Sequence, residues 1–136
     1  MSQDETNKFL EVPNATGTFV AFQDDHELFH SDVCVFAQTP TEFFIIGSYL
    51  SRDKVDLSIP RSLDGNGPHK VTYPTMGRPW RVKVNHFYED SVKGELTVTF
   101  ANLSRKNVKG TFALDLRDKR KVTGNFDLEL DNPEAM

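Results

Sequence analysis

Residues 110–131, which read GTFALDLRDKRKVTGNFDLELD, decide the fold of this chain. Apolar and polar side chains alternate on both sides of the polar turn at residues 118–121. Because successive side chains of a strand point to opposite faces, this alternation is typical of strands with one buried and one wetted face. Two such strands joined by a polar turn predict an antiparallel hairpin. The side chains expected to point inward are Phe112, Leu114, Leu116, Phe126, Leu128 and Leu130.

A period of two extends through most of the remaining chain, and no stretch carries a convincing helical stripe. The continuous apolar runs at residues 33–36 and 43–46 predict strands that are covered on both faces. Turn residues separate the candidate strands at the short spacing of sandwiches and barrels, which predicts an all-β fold: a single antiparallel β-sandwich or flattened barrel of about 8–9 strands. The other candidate strands are residues 17–23, 55–59, 70–73, 80–85 and 95–100.

The length of 136 residues fits one domain, and a hydrophobic fraction of 38% with eleven Phe residues is enough to build its core. We expect this domain to span residues 14–131, between flexible tails at residues 1–13 and 132–136. The net charge of −4 argues against a general nucleic-acid binder, whose binding surface is normally basic.

Cys34 is the one cysteine of the chain, so no intramolecular disulfide can form. The first residues lack the basic and apolar regions of a signal peptide, and no apolar run approaches the ~20 residues needed to cross a bilayer. These features predict a cytoplasmic protein, with a processed secreted form as the alternative.

Residues 15–19 (ATGTF), 108–114 (VKGTFAL) and 121–128 (KVTGNFDL) together resemble a group of small bacterial β-sheet proteins of uncharacterised function, many of them lipoproteins. In that group a similar terminal pair of strands closes an antiparallel sandwich. The present chain departs from the group because it shows no lipobox cysteine and no leader. The resemblance therefore implies a fold, and it assigns no chemistry and no functional residues.

His26 and His30 lie within the densest cluster of potential metal ligands, at residues 24–32. Their even spacing would place both imidazoles on one face of a strand, and imidazole with flanking carboxylates suits Zn²⁺ or Ni²⁺. No third distant ligand is identifiable, and the alternative is a solvated turn. We therefore predict no metal and no cofactor, and keep the two histidines as weak candidates.

Positive charge is concentrated at residues 104–121, where seven basic residues outnumber two aspartates. If strand ends and turns gather these charges on one rim, the rim would attract an anionic protein partner. Binding of single-stranded nucleic acid would also need aromatic stacking platforms, which the segment lacks. The alternative interpretation is solubility and protection of a strand edge. The basic residues predicted to bind include Lys106, Lys119, Arg120 and Lys121.

The segment from Tyr73 to Trp80 is the loop most suggestive of recognition, since it combines two prolines, a glycine, Arg78 and the one tryptophan. Aromatic side chains on the rim of a sandwich can stack on sugars or seat a peptide, and Phe87 and Tyr88 follow shortly after. The alternative is that Trp80 fills the core, because its parity matches that of the apolar residues in the strand that follows.

No catalytic motif supports an enzyme: there is no G-x-S-x-G elbow, and Cys34 stands among apolar neighbours that would bury its thiol. The sequence favours a non-enzymatic protein-binding module that uses the basic rim and the aromatic loop. The first alternative is a lipocalin-like carrier of a small hydrophobic ligand within a Phe-rich barrel. A metal-binding or hydrolytic protein is a weaker alternative.

Overall fold

A computed structural model describes residues 15–31, 33–50, 52–63, 65–74, 79–100 and 107–130. These residues form ten antiparallel strands and no helix, so the predicted all-β antiparallel class is confirmed. The predicted tails, residues 1–13 and 132–136, lie outside the described part. The strands are β1 Ala15–Gln23, β2 His26–His30, β3 Val33–Gln38, β4 Glu42–Tyr49, β5 Asp53–Pro60, β6 His69–Tyr73, β7 Arg81–Val84, β8 Phe87–Phe100, β9 Asn107–Leu116 and β10 Lys121–Leu130.

Eight of the strands close a barrel in the order β1-β3-β4-β5-β7-β8-β9-β10, and β10 pairs back onto β1. The two remaining strands lie alongside strands of the barrel: β2 pairs with β1, and β6 pairs with β8. Among the described residues, the ladder that joins β1 to β3 is the pair of Ala15 with Cys34. The predicted alternative of a flattened barrel therefore describes the architecture.

Two bulges explain why β2 and the first half of β8 are missing from the sequence prediction. The register of β1 with β2 shifts at Ala21/Phe22, which leaves Leu28 as the extra residue of β2. The register of β8 with β9 shifts at Ser91/Lys93, which leaves Val92 as the extra residue of β8. An extra residue reverses the inside-outside alternation, so the period of two is lost at these points.

The repeated Gly-x-Phe pattern forms reciprocal pairs on β9 and β10. Phe126 lies opposite Gly110, and Phe112 lies opposite Gly124. A Cβ atom on Gly110 would stand 3.0 Å from Cζ of Phe126, and one on Gly124 would stand 2.5 Å from Cζ of Phe112. Each glycine therefore leaves the space that the ring on the neighbouring strand fills, and it permits the close strand approach that a curved sheet requires.

The two sides of the barrel differ in how their strands are buried. On β9 and β10 buried and exposed residues alternate, as the sequence predicts. On β3 and β4 the runs at residues 34–37 and 43–46 are buried on both faces, which confirms the second prediction. The outer-facing side chains of these runs form a small separate cluster that consists of Val35, Ala37, Phe44 and Ile46.

No helix of the described residues has the length and apolar character needed to cross a membrane.

Candidate functional site

Two turns meet at one end of the barrel and hold an exposed group of apolar side chains. The β7–β8 turn is formed by Asn85 and His86, which both have positive φ (49° and 74°), as in a type I′ hairpin. The N–H of His86 donates to the Arg52 carbonyl at 2.9 Å, and the N–H of Asn85 donates to the buried Asp53 carboxylate at 2.9 Å. These bonds fix the β7–β8 turn against the β4–β5 turn, which carries Leu50.

Leu50, Phe87 and Tyr88 expose large apolar surfaces at these two turns. Their exposed fractions are 61%, 74% and 45%. The other exposed large hydrophobic residue in the described part of the chain is Val92, at 49%. Single exposed apolar residues are ordinary on protein surfaces, but a group of them often marks a binding site. The two hydrogen-bonded turns hold these three residues at one end of the barrel.

Cationic side chains border one of these residues, Tyr88. The guanidinium carbon of Arg81 lies 4.2 Å from the centroid of the Tyr88 ring, and Nζ of Lys83 lies 5.3 Å from it. Lys83 is opposite Tyr88 on one side and opposite Lys54 on the other, so the three side chains form a row on the outer face of the barrel. We call Lys54, Arg81, Lys83 and Tyr88 the aromatic–basic patch. Phe87 pairs with Val84 and therefore lies on the opposite face of β8.

The predicted basic rim behaves differently, because its central arginine is used inside the protein. Arg120 donates from Nε to Asp118 at 2.6 Å and from Nη1 to the Gln23 side chain at 3.1 Å, and its Nη2 lies 3.9 Å from Glu89. Nζ of Lys121 lies 3.9 Å from the Asp115 carboxylate. Arg120 therefore cross-links three parts of the barrel end.

The same turn lowers the pKa of the Asp118 carboxyl group. The backbone N–H of Arg120 donates to it at 3.1 Å and lowers its pKa below the usual 3.8, and the Arg120 side chain acts in the same direction. Lys119 stands at the tip of the turn with φ of 73° and is exposed. The turn therefore mixes both signs of charge.

The remaining positive charges of the predicted rim are not gathered at this turn. Lys109 lies opposite Asp127 near the other end of β9, roughly 20 Å along the strand from the turn. Arg105 and Lys106 lie outside the described residues. The structure therefore separates charges that are close in the sequence.

Trp80 of the predicted aromatic loop lies in the core. Its side chain has no exposed surface, its ring stacks on Tyr73 with a centroid distance of 5.1 Å, and its Nε1 donates to the Ser58 carbonyl at 2.7 Å. The β5–β7 ladder ends at Asp56, and beyond that residue the indole provides the partner for β5. The core alternative for Trp80 is thus what the structure shows, and Arg78 lies outside the described residues.

The bulge in β2 separates the two candidate metal ligands. His30 pairs with Val20, whereas His26 pairs with Gln23. Paired residues share a face and residues three apart in a strand do not, so the imidazoles lie on opposite faces, contrary to the prediction from their even spacing. Among the described residues, no group of three or more His, Cys, Asp and Glu side chains is placed to hold a metal ion.

The barrel interior contains two groups of packed rings. Phe19, Phe112 and Phe126 lie 5.4–6.5 Å apart between centroids, and a second group is formed by Phe36, Phe43 and Phe100 at 5.3–6.5 Å. These distances are those of direct aromatic contact.

The thiol of Cys34 is buried, as its apolar neighbours predict, and its Sγ lies 3.1 Å from Oγ of Ser31. Cys34 lies on β3 and pairs with Ala15 of β1 and with Gly47 of β4. The surroundings of this cysteine are therefore those of a structural residue.

The sequence prediction missed Lys54, Arg81 and Lys83 as members of a binding surface. The signal that could have found them is the alternation of residues 80–84, which places Arg81 and Lys83 on the outer face beside a predicted turn. The pairing of Lys54 with Lys83 has no local sequence signal, because β5 and β7 are separated by β6 and its loops.

Comparison of this chain with protein-family models, with curated proteins and with solved structures finds no match.

Proposed function

We propose that this protein is a non-enzymatic interaction module that binds an anionic protein segment at the aromatic–basic patch. The single observation that carries the proposal is the row of Lys54, Lys83 and the exposed Tyr88 on the outer face. A segment with carboxylates and an apolar side chain would match both components of this surface.

The pairing of two lysines is better explained by binding of an anionic partner than by stabilisation of the sheet. Like charges directly opposite each other on neighbouring strands destabilise a sheet by up to about 1 kcal/mol. Lys54 and Lys83 occupy such positions, and neither forms an ion pair with a carboxylate of the described residues. An anionic partner would remove this repulsion and gain two charge contacts.

Tyr88 adds a second reason to place the site here. The cations of Arg81 and Lys83 lie 4.2 and 5.3 Å from the centroid of its ring, and the residue is 45% exposed. Tyrosine and arginine are the residue types most often enriched at the centres of protein interfaces. The patch therefore combines anchoring groups with charge.

The basic turn at residues 117–121 is the less favoured surface for such a partner. Its arginine is already satisfied by Asp118 and Gln23, and Lys121 faces Asp115. An anionic partner would have to replace contacts that the protein already makes.

The packed rings argue against the lipocalin-like alternative. An eight-stranded barrel is just wide enough either to be filled by side chains or to hold one small ligand. Here Phe100 of β8 contacts Phe36 of β3 and Phe43 of β4 across the interior. Phe19, Phe112 and Phe126 pack together on the neighbouring strands β1, β9 and β10. This arrangement favours a core whose role is to support the surface.

Fluorescence anisotropy with a labelled peptide of alternating Glu and Phe tests the proposal. We expect binding that weakens with added salt, since screening reduces charge contacts. The double variant Lys54→Glu, Lys83→Glu should weaken binding by about tenfold or more, equivalent to about 1.4 kcal/mol. The variant Tyr88→Ser should also weaken it.

The matched control is Lys119→Glu, Lys121→Glu, which reverses the same number of charges on the basic turn. We expect this control to retain most of the binding. Equal losses in the two double variants would mean that only net charge matters, and the proposed site would be wrong. Failure of the wild-type protein to prefer the acidic peptide over a Gly-Ser peptide would reject the function itself.

A further inference from the structure

The loop between β5 and β6 contains the one Asn-Gly step of the chain, at residues 66–67. An asparagine loses its side-chain amide when the backbone nitrogen of the next residue attacks the amide carbon. Because both groups belong to the same chain, the reaction depends on whether they can approach each other. A free and unhindered nitrogen therefore marks the asparagine that reacts.

The fold itself requires glycine at position 67. Gly67 has φ of 98°, and a Cβ atom built on it would stand 2.7 Å from the backbone nitrogen of His69 and 2.9 Å from the carbonyl oxygen of Val98. A side chain at this position would meet backbone atoms, and it would also be strained by the positive φ. The packing of the loop against β8 thus keeps an unhindered nitrogen beside Asn66.

Both reacting groups of this step lack hydrogen bonds. Oδ1 of Asn66 is buried without a hydrogen-bond partner, and no described residue accepts a hydrogen bond from the N–H of Gly67. No hydrogen bond therefore has to break when the amide carbon and the nitrogen approach each other. The loop is held instead by the Asn66 backbone carbonyl, which accepts from the N–H of Phe100 at 2.8 Å.

Asn85 and Asn125 show the opposite arrangement. Asn85 is also an exposed turn residue, but the N–H of His86, which follows it, donates to the Arg52 carbonyl at 2.9 Å. Asn125 precedes Phe126, which is buried and paired with strands on both sides. In these two cases the nitrogen is hydrogen-bonded or enclosed in the sheet, and it belongs to a residue with a large side chain.

We propose that Asn66 is a site of spontaneous deamidation in the native protein. The backbone nitrogen of Gly67 loses its proton and bonds to Cγ of Asn66, the C–N bond of the side-chain amide breaks, and ammonia leaves with that proton. Water then opens the resulting succinimide ring at either carbonyl, which gives an aspartyl or an isoaspartyl residue at position 66. The net change is the uptake of one water molecule and the release of one ammonia molecule.

The modification acts on the core through the end of β8. An isoaspartyl residue adds one methylene group to the main chain and displaces the carbonyl that binds the N–H of Phe100. The ring of Phe100 is buried and packs on Phe36 and Phe43. A carboxylate in place of the buried amide of Asn66 also loses solvation. We therefore expect the modified protein to be less stable.

This inference is independent of the proposed function, because it involves none of the residues of the aromatic–basic patch.

Peptide mapping of the full-length protein after incubation at mildly alkaline pH tests the site. Trypsin releases residues 62–70 as one peptide, in which Asn66 is the one asparagine. We expect Asn66 to deamidate about tenfold faster than Asn85 and Asn125, and within about tenfold of the rate in a synthetic peptide of residues 62–70. An intact Asn66 in the native protein while the synthetic peptide reacts would overturn the proposal, as would equal rates at the three asparagines.

The melting temperature of the incubated protein gives a second measurement. The wild type should melt about 5 °C lower after incubation than before it, because the modified residue weakens the end of β8. The variant Asn66→Gln should keep its melting temperature, since its longer side chain forms the ring far more slowly. The control Asn125→Gln should decline like the wild type. An equal decline of Asn66→Gln would contradict the effect of this site on β8.

Discussion

The two walls of the barrel are stabilised in different ways. The hairpin wall, formed by β8, β9, β10 and β1, has long ladders, one buried face and one wetted face. The central wall, formed by β3, β4 and β5, has shorter strands whose side chains are buried on both faces. The hairpin wall depends on strand pairing and on the curvature that the Gly-x-Phe pairs permit. The central wall depends on the burial of side chains on both of its faces.

This difference teaches where substitutions of outward-facing residues should matter. On the hairpin wall an outward position is a solvent position, whereas on the central wall it is a second core. The same strand geometry therefore predicts opposite sensitivities on the two sides of the barrel.

The largest effect should come from Phe44→Ala on the central wall. Removing a buried aromatic side chain costs about 3–5 kcal/mol of unfolding free energy, because contacts are lost and a cavity remains. The matched change on the hairpin wall, Thr111→Ala, removes an exposed side chain and should cost less than about 0.5 kcal/mol. Urea denaturation measures both, and similar losses would show that the central wall has no covered outer face.

Gly124→Ala should be the next most severe and tests the hairpin wall. The new Cβ would meet the carbonyl oxygen of Val20 and the ring of Phe112. A rotamer change cannot relieve contact with a backbone oxygen, so we expect a loss of about 3 kcal/mol.

Gly65→Ala is the control for Gly124→Ala, since no heavy atom lies within 4 Å of its Cβ position and the cost comes only from φ of 73°. That cost is about 1 kcal/mol. A smaller loss for Gly124→Ala than for this control would show that the reciprocal glycine–phenylalanine pairs are not needed for the close approach of these strands.

Trp80→Phe tests the junction between the two walls. The substitution removes the hydrogen bond to the Ser58 carbonyl and should cost about 2 kcal/mol, most of it from the buried acceptor left without its donor. Because Trp80 is the one tryptophan, iodide quenching of its fluorescence in the native protein gives a further check. Efficient quenching would place the indole at the surface, where a partner could reach it.

Asp118→Asn should have the smallest effect. The folded pKa of this carboxyl lies below 3.8, so the stability that the charge contributes is complete above roughly pH 5 and is lost as the pH falls through the folded pKa. The group lies at the surface, which keeps the contribution small. The variant should match the wild type in acid and fall slightly below it at neutral pH, and a difference that grows in acid would reverse the assignment.

The fold could be predicted from the sequence where side-chain periodicity and burial agree. The alternation at residues 110–131 predicted β9 and β10, and the apolar runs predicted the doubly covered strands β3 and β4. The repeated Gly-x-Phe pattern was visible, but its reciprocal pairing needs the register of two strands. Closure of the barrel was likewise invisible, since it depends on the contact of Ala15 with Cys34.

The candidate site was less predictable because it depends on neighbours that are distant in the chain. A count of charges marked the turn at residues 117–121, but it could not show that Arg120 is held by Gln23 and Glu89. The bulge at Leu28 separated the two histidines that an even spacing had joined. The patch itself depends on a lysine pair across β5 and β7.

Hydroxyl-radical footprinting read by mass spectrometry tests the difference between the walls most directly. The account predicts that Phe87 and Tyr88, both exposed, are oxidised in the native protein at rates close to those of the unfolded chain. It predicts that Phe44 and Ile46, on the outside of the central wall, are oxidised only when the protein unfolds. Oxidation of Phe44 as fast as that of Tyr88 in the native state would contradict the covered outer face.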